Sequence, residues 1–171
     1  MSDEHKQHDQ SHHHSLPWLE RLVMRVPAYR GYQSSHQRHA ADVALREAVA
    51  VKLEEAVQSL GHAKRQCLDR EAFTEAESLD RISVQIHHAS DRVRHASSGI
   101  EQFNKSSEFR AAKADALHAI DHELLEMAEE FAKLCAGASS GKDWQPHVVK
   151  HLQEFERKLD ARSQHHSLAS G

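Results

Sequence analysis

Residues 82–103 read ISVQIHHASDRVRHASSGIEQF, and Ile82, Ile86, Ala89, Val93, Ala96, Ile100 and Phe103 fall in this stretch at spacings that alternate four and three. That 3.5-residue repeat keeps one apolar line facing a neighbour along the length of a helix, the pattern of helices packed side by side. The spacing predicts a helix over 71–104. Upstream, Leu45, Val49, Leu53, Ala56, Leu60, Ala63 and Cys67 repeat the pattern and predict a helix over 34–68. Downstream, Leu117, Ile120, Leu124, Met127, Phe131 and Leu134 predict one over 106–136, with Gly137 as its C-terminal cap. Trp144, Val148, Leu152, Phe155 and Leu159 predict a last helix over 143–161.

The entry is different in character. Leu16, Trp18, Leu19, Leu22, Val23 and Val26 recur at helical spacing, Pro17 suits a first turn and Pro27 ends the run, so 16–26 reads as a short amphipathic helix followed by an elbow at 28–32. The organisation expected is therefore a disordered His-rich tail (1–15), the amphipathic helix with its Gly-Tyr elbow (16–32), a helical bundle domain (33–161) and a disordered tail (162–171). The fold class is all-α: an elongated antiparallel helical bundle of three long helices with shorter N- and C-terminal helices. Phe73, Phe103, Phe109, Phe131 and Phe155 are the aromatic anchors available to its core.

Composition agrees. Of 171 residues, 39% are hydrophobic and 5% aromatic, enough for one modest domain, and six glycines with three prolines are too few for a sandwich or barrel. A net charge of −4 provides no basic field, so nucleic acid is not an expected partner. Protonating all 17 histidines would carry the formal charge from −4 to +13 as pH falls through about 6. Cys67 and Cys135 lie on apolar faces, where they read as small buried hydrophobes of a reducing compartment, and the location expected is cytoplasmic. No run of 18 apolar residues occurs, and Leu16–Val26 is crossed by Glu20, Arg21 and Arg25.

Chemistry-bearing patterns are sparse. Di-iron bundles use Glu-x-x-His pairs, and the nearest pattern is a single Asp115-x-x-His118. His118 and His122 stand four apart as ligands on one helix face would, but the line through 117, 120 and 124 places both on outer positions; His62, His87, His88 and His95 also read as solvated. His147 and His151 flank Val148 and Leu152 and could face a groove. No His-Glu-x-x-His, Cys-x-x-Cys, Gly-x-Ser-x-Gly or phosphate loop is present, so the expectation is a protein that is not an enzyme and holds no cofactor.

For the entry helix and the charged face of the third helix the structural readings come first, and partner binding is the functional reading set beside them. The entry helix sets Trp18, Leu19, Leu22, Val23, Met24 and Val26 beside Arg21, Arg25 and Arg30 with one acid, Glu20, which suits an interfacial or partner-docking helix; the competing reading folds it back over one end of the bundle. Asp80, Arg81, Asp91, Arg92 and Arg94 read as the ion-pair face of a long helix, and Arg92 and Arg94 with His95 as a patch for an acidic partner.

The stretches Arg30-Gly31-Tyr32, Arg38, Ala41-Asp42, Leu45-Arg46, Leu79-Asp80-Arg81-Ile82 and Asp91-Arg92-Val93-Arg94-His95-Ala96 resemble an uncharacterised bacterial family of helical proteins. Its members resemble accessory proteins encoded near stomatin-like membrane scaffold proteins. The similarity spans about 16–135, and Ser97-Ser98-Gly99-Ile100 stands where the family has an aromatic Gly-Tyr stretch. The resemblance implies a long bundle behind an apolar entry segment and no catalytic set. The expected role is a non-catalytic helical scaffold or adaptor that binds a partner protein, with peripheral contact at the inner membrane surface and homo-oligomerisation both compatible. Its candidate contact residues are Trp18, Leu19, Arg21, Leu22, Arg25, Val26, Arg92 and Arg94. The alternative is a metal-binding bundle using His118, His122, His147 and His151.

Overall fold

A computed structural model describes residues 17–27, 29, 35–96, 107–139 and 144–167. They form α1 (Pro17–Arg25), α2 (Ser35–Asp69), α3 (Phe73–His95), α4 (Ser107–Ala136), a 3-10 turn (Gly137–Ser139) and α5 (Trp144–Ser167), and no strand occurs among them. The expected His-rich tail, and Ile100 and Phe103 of the opening stretch, lie outside the described residues.

The apolar lines face one another as their spacing requires. All seven seam residues of α2 from Leu45 to Cys67 are buried, as are Ile82, Ile86, Ala89 and Val93 of α3 and Val148, Leu152, Phe155 and Leu159 of α5. Helix α2 lies between α3 and α4, and α5 closes the ring against α4 and, more lightly, α3. Ion pairs from Lys64 to Asp80 and from Arg94 to Glu54 (2.6 Å) run α3 antiparallel to α2. Those from Lys158 to Glu123 and from Arg162 to Asp121 (2.7 Å) run α5 antiparallel to α4. The protein is an all-α four-helix bundle with one additional short helix, α1, packed on α4.

Helix α5, at 24 residues, is close in length to α3 at 23 and completes the bundle. Three expected boundaries are corrected. Helix α5 runs six residues past 161, so 162–167 is helix and not tail, because Arg162 is held in the core by ion pairs described below. Helix α3 stops at His95 and not 104, where Ala96 turns to ψ 134°. The carbonyls left open at that end accept from a neighbouring helix: Arg46 Nη1 donates to Arg94 O (2.6 Å) and Ala96 O (3.0 Å). Gly137 opens the 3-10 turn with no left-handed φ, so it is not a glycine cap of the usual kind.

The left-handed cap occurs at the end of α2. Ala72 N–H donates to Cys67 O (2.8 Å) and Glu71 N–H to Leu68 O (3.0 Å), the paired bonds of a Schellman motif, with Glu71 at φ 59° in the position that favours glycine. Replacing Glu71 with glycine should therefore raise stability by about 0.5–1 kcal/mol, read as a higher urea midpoint at unchanged slope. The turn also carries Phe73 outward at 65% exposure, which removes it from the expected core anchors. Phe131 and Phe155 are buried as expected.

Candidate functional site

Where the N-terminal part of α2, the middle of α4 and the C-terminal part of α5 meet, the core contains charge. Asp42 of α2, Asp121 of α4 and Arg162 of α5 are all buried. Arg162 Nη2 donates to Asp42 Oδ1 (2.6 Å) and its Nε to Asp121 Oδ1 (2.7 Å), so one guanidinium joins two carboxylates on two other helices. Arg46, one turn along from Asp42, pairs with Asp42 Oδ2 (2.8 Å) while capping α3. Two guanidiniums thus face two carboxylates, a balance that burial demands because an unpaired ion there would cost several kcal/mol.

Tyr29 extends this ladder to α1. Leu22, Val26 and Tyr29 form one buried edge at spacings of four and three, and the chain keeps winding past Pro27, with Tyr29 N–H donating to Val26 O (2.8 Å). Tyr29 Oη donates to Asp121 Oδ2 (3.1 Å) and also contacts His118 Nδ1. A phenol has one proton, so with that proton on the carboxylate, His118 must be the donor to Tyr29 through Nδ1–H. The rings of Tyr29 and His118 meet edge to face, their centroids 5.4 Å apart. Burial lowers the His118 imidazole to about 4. Outside the buried edge, Arg25 reaches Glu126 (3.7 Å) and Glu129 (3.6 Å), and His122 Nε2 lies 3.4 Å from Glu126.

This geometry corrects several sequence expectations. His118 and His122 are 6% and 7% exposed and not on an outer face, because α4 has α1 as a third neighbour and buries a second stripe beside the seam toward α2 and α5. Leu22 and Val26 are buried in the core and Arg25 is paired to α4, so they hold α1 to the bundle and are not available as partner anchors. The side chains of Trp18 and Leu19 lie outside the described residues. Arg92 pairs with Glu156 (3.4 Å) and Asp160 (2.5 Å) of α5, and Arg94 with Glu47 (3.5 Å) and Glu54 (2.6 Å) of α2. Both arginines pair with carboxylates on neighbouring helices and remain partly exposed, as the ion-pair reading of this face expects.

The other candidates separate. His62, His87, His88, His95 and His147 are exposed, and His151 stacks on Phe131 with its Nε2 3.0 Å from Met127 O. Among the described residues no three His, Cys, Asp or Glu side chains stand where one metal ion could be shared. Cys67 and Cys135 are buried free thiols, and burial pushes Cys135 up to about 12, away from thiolate chemistry. No described helix is long and apolar enough to cross a membrane.

Sequence reasoning missed Tyr29, Asp42, Asp121 and Arg162 as a unit. The signal was present: 42, 45 and 49 on α2, 117, 121 and 124 on α4, and 155, 159 and 162 on α5 each continue a three-four spacing, so each charge occupies a core position of its own heptad. No family model, curated relative or solved structure matches the chain. The resemblance to stomatin-associated accessory proteins rests on the quoted residues alone.

Proposed function

We propose that the chain is a non-catalytic helical adaptor and that it meets its partner protein through the outer face of α1. The observation supporting this is how α1 divides its side chains. Leu22 and Val26 go into the bundle, while Val23 at 41% and Met24 at 74% exposure stand in solvent beside Arg21. Met24 is an adaptable apolar surface and Arg21 a directional cation, a pairing that suits a docking contact. A buried charge ladder below fixes the pose of α1, so this face is presented in one orientation. Membrane-surface contact would use the same two apolar residues and the same arginine.

A photocrosslinking residue at position 24 tests the reading, with the exposed position 88 on α3 as control. The expected result is a discrete protein adduct from position 24 that is absent from position 88 and lost on Val23→Glu. Equal labelling from the two positions, or none from position 24, overturns it. Sedimentation with anionic vesicles at pH 7.4, abolished by Val23→Glu, would instead assign the face to lipid.

A further inference from the structure

Helix α1 has nine residues, fewer than the 12–15 at which an isolated helix becomes even marginally stable in water, so it is helical only while docked. Its docking surface is mixed. Leu22 and Val26 bury apolar area, and beside them the described residues make polar contacts to α4, from Tyr29 to His118 and Asp121 and from Arg25 to Glu126 and Glu129. When such a helix lifts, the polar groups beneath it pass to water, which satisfies them; an apolar groove would have no such compensation. The bonds of Arg162 to Asp42 and Asp121 join α2, α4 and α5 directly, so they remain when α1 lifts.

We infer that α1 is an acid-released strap: uptake of a proton by His118 places an imidazolium in the buried join with Tyr29, and lifting α1 from α4 returns that charge to water while α2–α5 stay folded. His118 sits at the join, bonded to the buried Tyr29 of the strap and one turn from His122. The described charged and titratable groups around it are Tyr29 and Arg25 on the strap side, Asp121, His122, Glu126 and Glu129 on α4, Arg162 on α5, and Asp42 and Arg46 on α2. Asp121, joined to the histidine through Tyr29, accepts from both Tyr29 and Arg162, and the guanidinium offsets the attraction of its charge for an imidazolium. Burial holds His118 at about 4, whereas a ring released to water titrates near its ordinary 6.5. Between those limits the open form binds the proton that the docked form excludes. Each drop of one pH unit therefore raises the ratio of open to docked α1 by close to tenfold. This inference does not depend on what the outer face of α1 binds.

Hydrogen exchange on the full chain at pH 7.4 and 5.0, corrected for the intrinsic pH dependence of the chemical rate, tests it. The expected result is a loss of protection of tenfold or more over residues 18–26 at pH 5.0, with α2–α5 unchanged. His118→Gln, which cannot take up the proton, should keep α1 protected at both pH values. In the wild-type chain the His118 ring, followed by NMR, should titrate with the same midpoint as the release of α1, a readout that stands even if the glutamine variant does not fold. Unchanged protection at pH 5.0, loss in step with α2–α5, equal loss in His118→Gln, or separate midpoints would each overturn the inference.

Discussion

Replacing Arg162 with methionine should lower the stability of the bundle by about 3–5 kcal/mol, the range for removing one member of a buried ion network. Methionine fills much the same volume, so little of the loss is cavity. It comes from Asp42 and Asp121, which remain fully buried with their shared guanidinium gone. Arg46 still holds Asp42 (2.8 Å), whereas Asp121 loses the guanidinium and keeps the neutral Tyr29 hydroxyl (3.1 Å), so Asp121 carries most of the cost. Adding Asp42→Asn and Asp121→Asn to the methionine variant should recover most of the stability, because a neutral amide costs far less to bury than an unpaired ion. Arg92→Met supplies the contrast. Arg92 also has two carboxylate partners on another helix, but all three groups are solvent-facing, and its loss should cost less than 1 kcal/mol. Urea unfolding followed by circular dichroism measures all four chains; equal effects of Arg162→Met and Arg92→Met would mean that burial contributes nothing to the ladder.

The same residue shows where the sequence stops being legible. Val148, Leu152, Phe155 and Leu159 announce α5 through their spacing, and Arg162 falls on the next position of that line, three residues on. A charge on the line reads as the end of the apolar face, and the helix is expected to stop there. The structure continues to Ser167 because two aspartates on α2 and α4, each also in phase with its own seam, supply the partners. A charge at a core position is a terminus when taken alone and a contact when an opposite charge sits in phase on a neighbour. Periodicity within one helix cannot distinguish these cases; the register between helices can.

Helix α4 makes a related point about neighbours. Its seam through Leu117, Ile120, Leu124 and Phe131 was legible because two flanking helices define one line. His118, His122 and Leu125 belong to a second buried line on α4, the helix that α1 packs against, and the composition of that line is mixed enough to read as surface. Tyr29 was placed in an elbow for the same reason: its burial depends on α1 docking and is not encoded by any local run.

Phe131→Ala should cost about 3–5 kcal/mol, the range for truncating a fully buried phenylalanine, and Phe73→Ala less than about 0.5. Both were equal candidates as aromatic anchors, and the difference between them is geometric. Phe131 lies in the core of α4 and stacks at 14° on His151, whose Nε2 in turn stands 3.0 Å from the carbonyl of Met127, one turn back along α4. Removing the ring therefore opens a cavity and takes away the surface that orients the imidazole, loosening α5 against α4 at that level. Phe131→Leu keeps most of the volume and should recover more than half of the loss. Phe73 follows a turn whose left-handed Glu71 swings it away from the bundle, so its truncation exposes nothing new to water. Among the described residues the only other fully buried aromatic side chains are Tyr29 and Phe155, so the neighbours of Phe131 have little large, adaptable surface with which to collapse into the space. The loss on Phe131→Ala should accordingly fall at the upper end of the range, and a measured cost below about 1.5 kcal/mol would show that α4 and α5 do not close on that ring.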